Sequence, residues 1–387
     1  MRIAFFTETF LPHTDGVVTR LLHTVAELRA LGHEVLIVAP RAPVMPSEYD
    51  GALVLEAPSM RLPLYPDMRL GLPMVDLGRR AELHAFKPDV VHALNPVALG
   101  LRALWYAQYL GVPFVASYHT NIPAYARRYH LAALEGTAWR YLRLIHNRAR
   151  LNLCTSRPVQ QMLEAHGFKR VARWLPGVDA RLFRPDRRAE AWRARLTAGN
   201  PDAVILLYVG RLAREKELGR LAPALAHLPG CRLALVGDGP NREQVERSFA
   251  GLPVTFLGPL YGDDLAAAFA SADVFVLPSP TETLGLAAIE AMAAGLSVVG
   301  ARRGGIPDIV VEGETGRLFD PDEPDDLLRQ LRPLVASREE RERMGQAGRL
   351  RAAGWSWATT TADLVGRYRR LLPPHAASDE SSVLVAN

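Results

Sequence analysis

With 387 residues, of which 49% are hydrophobic and 22% charged, the chain is too long for a single core of about 250–300 residues, and a soluble protein of two domains is expected. The formal charge of +5 rests almost wholly on arginine, the lysines being Lys87, Lys169 and Lys216 alone; it suits an anionic membrane surface or nucleic acid, and equally plain solubility. Two cysteines, Cys154 and Cys231, exclude a disulfide framework and a cysteine metal cluster and fit a reducing, cytoplasmic setting.

The chain opens on a strand-like run at 3–6, with no secretory leader expected before it. The longest segment free of Asp, Glu, Lys and Arg, 103–126, is broken by Gly111, Pro113, His119, Asn121 and Pro123, so any membrane contact is expected to be peripheral. Further strand-like runs at 35–38, 89–93, 113–117 and 151–155, then at 204–209, 232–236, 254–257, 274–277 and 296–300, alternate with helical patterns. That alternation predicts parallel βαβ units in two doubly wound halves.

After the first strand, 7–18 form a long turn holding Gly16 just before a helix that runs to about Leu31. A glycine there lets a ligand approach the helix N-terminus, although an ordinary tight turn also explains it. No G-x-G-x-x-G follows, which counts against a dinucleotide site. At the carboxyl end of the fourth strand, Ser117-Tyr118-His119-Thr120-Asn121 is a polar cluster. His119 there can hydrogen-bond a sugar, act in proton transfer, or serve as a structural hydrogen-bonding residue. Helical spacing of Trp139, Leu142 and Ile145 within 134–150, with Arg140, Arg143, Arg148 and Arg150 around them, suits a basic face on an acidic bilayer or a packed helix with solvated arginines.

Turn formers between Pro176 and Asp186 mark the join of the halves. Beyond it, strand 204–209 runs into Gly210-Arg211-Leu212-Ala213-Arg214-Glu215-Lys216, where Arg211 and Lys216 can neutralise a diphosphate or be plain surface cations. Gly237-Asp238-Gly239-Pro240 is an incomplete glycine fingerprint, with Arg242 in the place of the third glycine; it suits a nucleotide-base loop better than a nicotinamide site. Within 273–295, a buried strand closed by Pro278-Ser279-Pro280 should feed a helix capped by Thr281 or Thr283 and ended by Gly295 in a left-handed C′ position. Glu282 then lies on the turn at a strand's carboxyl end, and Glu290 about two turns into the helix. The amides of Thr283, Leu284, Gly285 and Leu286 would make an anion site, and the two carboxylates suit the vicinal hydroxyls of a sugar or ribose. Phosphate plus polyol points to a nucleotide sugar, against the alternative of two ordinary surface charges. Gly304-Gly305-Ile306-Pro307-Asp308 is a further glycine turn. Asp320-Pro321-Asp322 has a D-x-D spacing but reads better as helix capping beside Asp325 and Asp326, so no metal site is expected.

Taken together, the E-x7-E pair Glu282/Glu290, the G-R-x4-K run 210–216, GDGP at 237–240 and GVDxxxFRP at 177–185 make the chain resemble, from Met1 to about Leu372, the retaining glycosyltransferases of family 4. Within that family, TETFLPxxDGVVTRL at 7–21, SYHTNxPxYxxRY at 117–129, NLCTS at 152–156 and TETLG with GGIPDI in 281–309 are most similar to sulfoquinovosyl-diacylglycerol synthases, which move sulfoquinovose from its UDP donor to diacylglycerol at a membrane surface. The resemblance implies a GT-B fold: two Rossmann-like doubly wound domains facing a cleft, an acceptor-side domain over 1–180, a nucleotide-sugar domain over 186–355, a C-terminal helix over 356–372 crossing back to the first domain, and a disordered tail over 373–387. It assigns Glu290 to the ribose, Arg211 and Lys216 to the diphosphate, and Glu282 with the amides of Leu284 and Gly285 to the donor sugar, with Gly16 on the phosphate side and His119 beside the sugar. Pro176 stands where those enzymes usually carry Arg or Lys; Arg20, Arg127 and Arg128 are the candidate sulfonate partners. A metal-independent transferase without a cofactor follows, peripheral on the inner face of the cell membrane, with a lipid acceptor and no nucleic-acid or obligate protein partner. The alternatives are a glucosyl- or mannosyltransferase acting on diacylglycerol or phosphatidylinositol, and a nucleotide-sugar-binding module without activity.

Overall fold

The computed structural model describes residues 1–62, 65–72, 80–123, 133, 135–200 and 202–373. Contacts divide the chain into two compact units. The first holds Met1–Thr155, Gln160–Leu175 and the last helix; the second holds Ser156–Val159 and Pro176–Ser356.

The first unit is built on strands β1 (Arg2–Thr7), β2 (Glu34–Pro40), β3 (Glu48–Tyr49), β4 (Ala52–Ala57), β7 (Val90–Leu94), β8 (Phe114–Tyr118), β9 (Leu151–Cys154) and β10 (Val171–Arg173), with a separate antiparallel hairpin of β5 (Ser59–Leu62) and β6 (Tyr65–Gly71). The sheet order is β10-β9-β8-β7-β1-β2-β4-β3, parallel except for β3 against β4. Period-two alternation sends Ile3 and Phe5 into one core and Ala4 and Phe6 into another, so the sheet is buried on both faces. Helix α1 (Gly16–Ala30) covers the first face with Leu21, Val25 and Leu28; α2 (Ala98–Leu110) covers the second with Leu99, Ala103 and Leu104.

In the second unit, β11 (Val204–Val209), β12 (Cys231–Val236), β13 (Val254–Gly258), β14 (Val274–Leu277), β15 (Ser297–Ala301) and β16 (Gly316–Phe319) form an all-parallel sheet in the order β13-β12-β11-β14-β15-β16. Helix α3 (Leu286–Ala293) follows β14, and α4 (Trp357–Arg369) closes the described chain. Although it follows the second unit in sequence, α4 belongs to the first: Leu364, Val365 and Tyr368 join its core, Trp357 stacks on His23 and the Tyr368 hydroxyl meets His92 Nδ1 at 2.6 Å. Both cysteines are buried and free. Two doubly wound parallel α/β units are the expected fold class.

The ten strands read from sequence are present to within a residue or two, but β3, β4, β10, β16 and the hairpin were not foreseen. Ala52–Ala57 lies between Asp50-Gly51 and Pro58, a signal that was passed over, while β10 and β16 are three and four residues long. No helix among the described residues is long and apolar enough to cross a membrane. Arg127, Arg128 and the tail from 374 lie outside the described residues.

Candidate active site

In the second sheet the strand order reverses between β11 and β14, and ligands of open α/β sheets bind outside the carboxyl ends of strands at such a reversal. The two loops leaving those strands carry the predicted residues. Gly210 to Lys216 leaves β11, and Pro278 to Leu286 leaves β14. Lys216 Nζ donates to Glu282 Oε1 at 2.5 Å, with both side chains more than four-fifths buried, so the predicted phosphate cation and sugar carboxylate meet across the two loops. Arg211 pairs with Glu215, whose side chain is fully buried. The Glu215 carbonyl in turn accepts from Ser279 Oγ at 3.2 Å and Thr281 Oγ1 at 3.3 Å, which ties one loop to the other. Glu215 and Ser279 were missed in the sequence; the i,i+4 spacing of Arg211 and Glu215 was the available signal.

The expected threonine cap is corrected by the structure. Neither Thr281 nor Thr283 caps α3: Thr281 is committed to Glu215, and the N-cap is Gly285 at φ 87°, a left-handed conformation that glycine adopts without a Cβ penalty. A Cβ there would also stand 2.6 Å from Ile306 Cδ1. Gly295 does occupy the left-handed position after α3, at φ 83°. Glu290, in the second turn of α3, has its carboxyl pushed up from 4.5 to about 7 by burial alone.

The glycine loops hold these side chains in place. Gly305 N–H donates to the Glu282 carbonyl at 2.7 Å, and a Cβ on Gly304 or Gly305 would fall 2.1 or 2.2 Å from the carbonyl oxygens of Glu282 and Thr283. Likewise, Cβ atoms on Gly237 and Gly239 would meet the Gly210 and Leu212 carbonyls at 2.0 and 2.5 Å. The GDGP loop, expected at a base, therefore packs backbone to backbone against the loop that carries Arg211.

In the first unit the sheet order reverses between β1 and β7. Gly16 is the first residue of α1, where Asp15 caps the helix by accepting from Val17 and Val18 N–H at 2.8 Å each. Those two amides are taken, so a phosphate beside Gly16 would have to be held by other donors. Glu8, at the end of β1, accepts from Val97 and Gly100 N–H at the start of α2; burial pushes its carboxyl up to about 7 against the pull of those amides, and its Oε2 is unpartnered. Beside Glu8 is a cavity of about 220 Å³ lined also by Phe10, Pro12, Arg61 and Arg69. Glu8 lies in the TETFLP run at 7–12 but was not singled out there.

His119 follows β8 and is placed by Asn95 Oδ1, which accepts from its N–H and from that of Thr120. Its Nε2 meets Ser117 Oγ at 2.8 Å. Burial first, then the charge of Arg20, holds the imidazole well below its usual 6.5. Of the roles open to His119, hydrogen bonding suits a ring that is neutral at pH 7, and proton donation does not. Arg20, on α1, is 1% exposed with its guanidinium 4.6 Å from the centre of the Trp174 ring, and burial lowers it to about 9. A cation–π contact contributes about 0.5–2 kcal/mol, less than the several kcal/mol that desolvating a lone ion costs.

Comparison with known proteins identifies "Glycosyltransferase Family 4" over residues 14–182 and "Glycosyl transferases group 1" over 190–351. The sulfoquinovosyl transferase SQD2 of Arabidopsis thaliana is 40% identical over 94% of this chain and 72% of its own. A GDP-mannose-dependent alpha-mannosyltransferase of Mycolicibacterium smegmatis is 38% identical over 96% and 98%. Among solved structures, sucrose-phosphate synthase of Thermosynechococcus elongatus superposes with a TM-score of 0.79 at 23% identity, covering 97% of this chain and 100% of its own. The Anabaena protein HepE, in complex with UDP-glucose, does so at 0.77 and 18%, covering 96% and 100%. At such identities the two structures show the fold, which is GT-B.

Proposed function

The chain belongs to family 4 of the glycosyltransferases, the retaining hexosyltransferases of GT-B fold, and from that premise we infer that it moves sulfoquinovose from UDP-sulfoquinovose to diacylglycerol at a membrane surface. The observation that carries this choice of donor and acceptor is the 40% identity to a sulfoquinovosyl transferase along 94% of the chain. The site is compatible with the chemistry. Arg211 and Lys216 supply two cations for a diphosphate leaving group, where preorganised charge stabilises what develops as the glycosidic bond breaks. Glu290 suits a ribose diol and Glu282 the sugar hydroxyls. With the phosphates held there, a departing phosphate oxygen takes the acceptor's proton on the face where the bond breaks, so neither an enzyme nucleophile nor a metal is required. His119 hydrogen-bonds the sugar as a neutral ring. For the acceptor, the cavity beside Glu8 offers a carboxylate to a hydroxyl within walls that include Phe10 and Pro12.

A second reading keeps the chemistry and changes the donor. The 38% identical GDP-mannose-dependent mannosyltransferase supports GDP-mannose as the donor. The test is a donor screen on purified protein with diacylglycerol in anionic vesicles and EDTA throughout, comparing UDP-sulfoquinovose, UDP-glucose, UDP-galactose and GDP-mannose. Transfer from UDP-sulfoquinovose above the other three is expected. Transfer from GDP-mannose alone replaces this donor with the second reading.

A further inference from the structure

Tyr208 is the one residue of β11 with a polar side-chain atom, and it is fully buried near the carboxyl end of a strand inside the second sheet. A buried tyrosine needs a partner for its hydroxyl, and this one donates to the Arg211 carbonyl at 3.0 Å. The chain turns back over the ring to make that contact. Gly210 has φ 152°, and a Cβ on it would stand 2.9 Å from the Tyr208 hydroxyl and 3.2 Å from its Cζ, so the turn closes on the phenol with no room for a side chain. The Arg211 carbonyl also accepts from Ala213 N–H at 3.0 Å. At the other end of the residue, the guanidinium pairs with the buried Glu215 carboxylate. Tyr208 thus fixes the backbone of Arg211 and Glu215 fixes its tip.

We propose that Tyr208 is a positioning residue for the donor's diphosphate: by anchoring the Arg211 carbonyl, its hydroxyl holds the guanidinium where it meets a phosphate. This rests on the reading of Arg211 and Lys216 as the diphosphate cations. Lys216 is placed separately, by Glu282 on the other loop, so the hydroxyl acts on one cation of the two. A nucleoside monophosphate offers one phosphate to both cations, whereas a diphosphate offers one to each. Misplacing Arg211 therefore costs a diphosphate more than a monophosphate. Burial first, then the charges of Lys216, Glu282, Glu215 and Arg211, act on the hydroxyl, and the balance keeps it above its ordinary 10. It is a neutral donor at neutral pH, so its removal takes no charge from the site and acts on a ligand through the position of Arg211 alone.

Calorimetric binding of UDP and UMP to the full chain tests the inference, with Tm followed for every variant. The preference for UDP over UMP is expected to fall about tenfold in Tyr208→Phe, which keeps the ring and loses only the hydroxyl. It should fall at least as far in Arg211→Ala, and no further in the double variant, because the hydroxyl acts through Arg211. Gly210→Ala crowds the same hydroxyl from the loop side and should lower the ratio too, which keeps the contact readable if the phenylalanine variant folds poorly. Where the wild type prefers guanine nucleotides, GDP against GMP reads the same contacts. If Tyr208→Phe weakens UDP and UMP alike, or the double variant shows the sum of the two single losses, Tyr208 is overturned as a positioning residue. If Arg211→Ala and Lys216→Ala lower the ratio while Tyr208→Phe leaves it unchanged, the diphosphate reading stands and this inference falls. A ratio that neither Arg211→Ala nor Lys216→Ala moves removes the diphosphate reading and the inference with it.

Discussion

On the proposed donor reading, Glu290 and the Lys216–Glu282 pair respond to substrate in opposite ways. Raised to about 7 by burial, the Glu290 carboxyl is largely protonated at pH 6 and ionised at pH 8. A carboxylate accepts from both hydroxyls of a ribose, so donor binding favours the ionised form. Donor affinity should therefore rise about tenfold from pH 6 to 8, with protons released on binding near pH 6. Calorimetry in buffers of different ionisation enthalpy reads both, and Glu290→Gln should abolish both. For folding the sign is the reverse: the folded carboxyl lies above its unfolded 4.5, so its contribution is full below 4.5 and is lost as pH rises through about 7. Lys216 Nζ is hydrogen-bonded to Glu282, so on the same reading a diphosphate competes for the ammonium. Lys216→Ala should weaken UDP binding about tenfold or more. Glu282→Ala frees the lysine and removes a sugar contact, so it should keep UDP affinity while cutting transfer by about 100-fold or more. Equal losses of UDP affinity in the two variants would place Glu282 at the phosphates instead.

Loops, rather than strands, decide where these side chains sit. A methyl group on Gly304 or Gly305 would lie about 2 Å from the Glu282–Thr283 backbone, and backbone cannot step aside as a side chain can. Gly305→Ala should displace the turn, reduce transfer by about 100-fold and lower stability by about 1–3 kcal/mol, the range of a forced overpacking. Gly313, at φ 75° with nothing within 4 Å of its Cβ, is the control: Gly313→Ala meets backbone strain alone and should leave transfer intact. Denaturant melts and a single-donor assay separate the two effects. The same loops mark the limit of what the sequence discloses. The apolar runs of β1, β11 and β14 and the E-x7-E spacing are local patterns, and they were legible. That Thr281 bonds Glu215 instead of capping α3, or that Gly304 and Gly305 buttress the distant turn at Glu282–Thr283, depends on which loops the strand order brings together. Glu8, at the end of β1, is the same case: no residue near it in sequence hints at the Val97 and Gly100 amides it accepts from.

At the scale of the molecule, the proposed lipid acceptor requires the protein to meet a membrane surface, and the first unit carries exposed side chains suited to that. Trp105 (55% exposed) and Tyr109 (75%) project from α2, while Tyr141 and Leu144 (56%) project from the neighbouring helix Glu135–His146, whose Tyr141 hydroxyl bonds the Val97 carbonyl at the start of α2. Arg140 and Arg143 are exposed on the same helix and Arg148 and Arg150 just beyond it. The sequence pointed to these arginines, whereas Trp105 and Tyr109 were not singled out in it. Exposed aromatics and arginines on two neighbouring helices suit an anionic bilayer interface: each arginine contributes about 1 kcal/mol near the charged surface, and aromatic rings sit at headgroup depth. Binding to vesicles rich in anionic lipid should thus have two separable parts. Raising salt from 0.1 to 0.5 M should weaken it by about tenfold or more, because the arginine part is screened over about one Debye length. Trp105→Ala with Tyr109→Ala should weaken it at both salt levels alike, because burial of rings is not screened. Sedimentation with vesicles measures the first quantity and its salt slope together. A double variant that binds as well as the wild type at 0.5 M salt would take α2 off the membrane and leave the contact to the arginines alone.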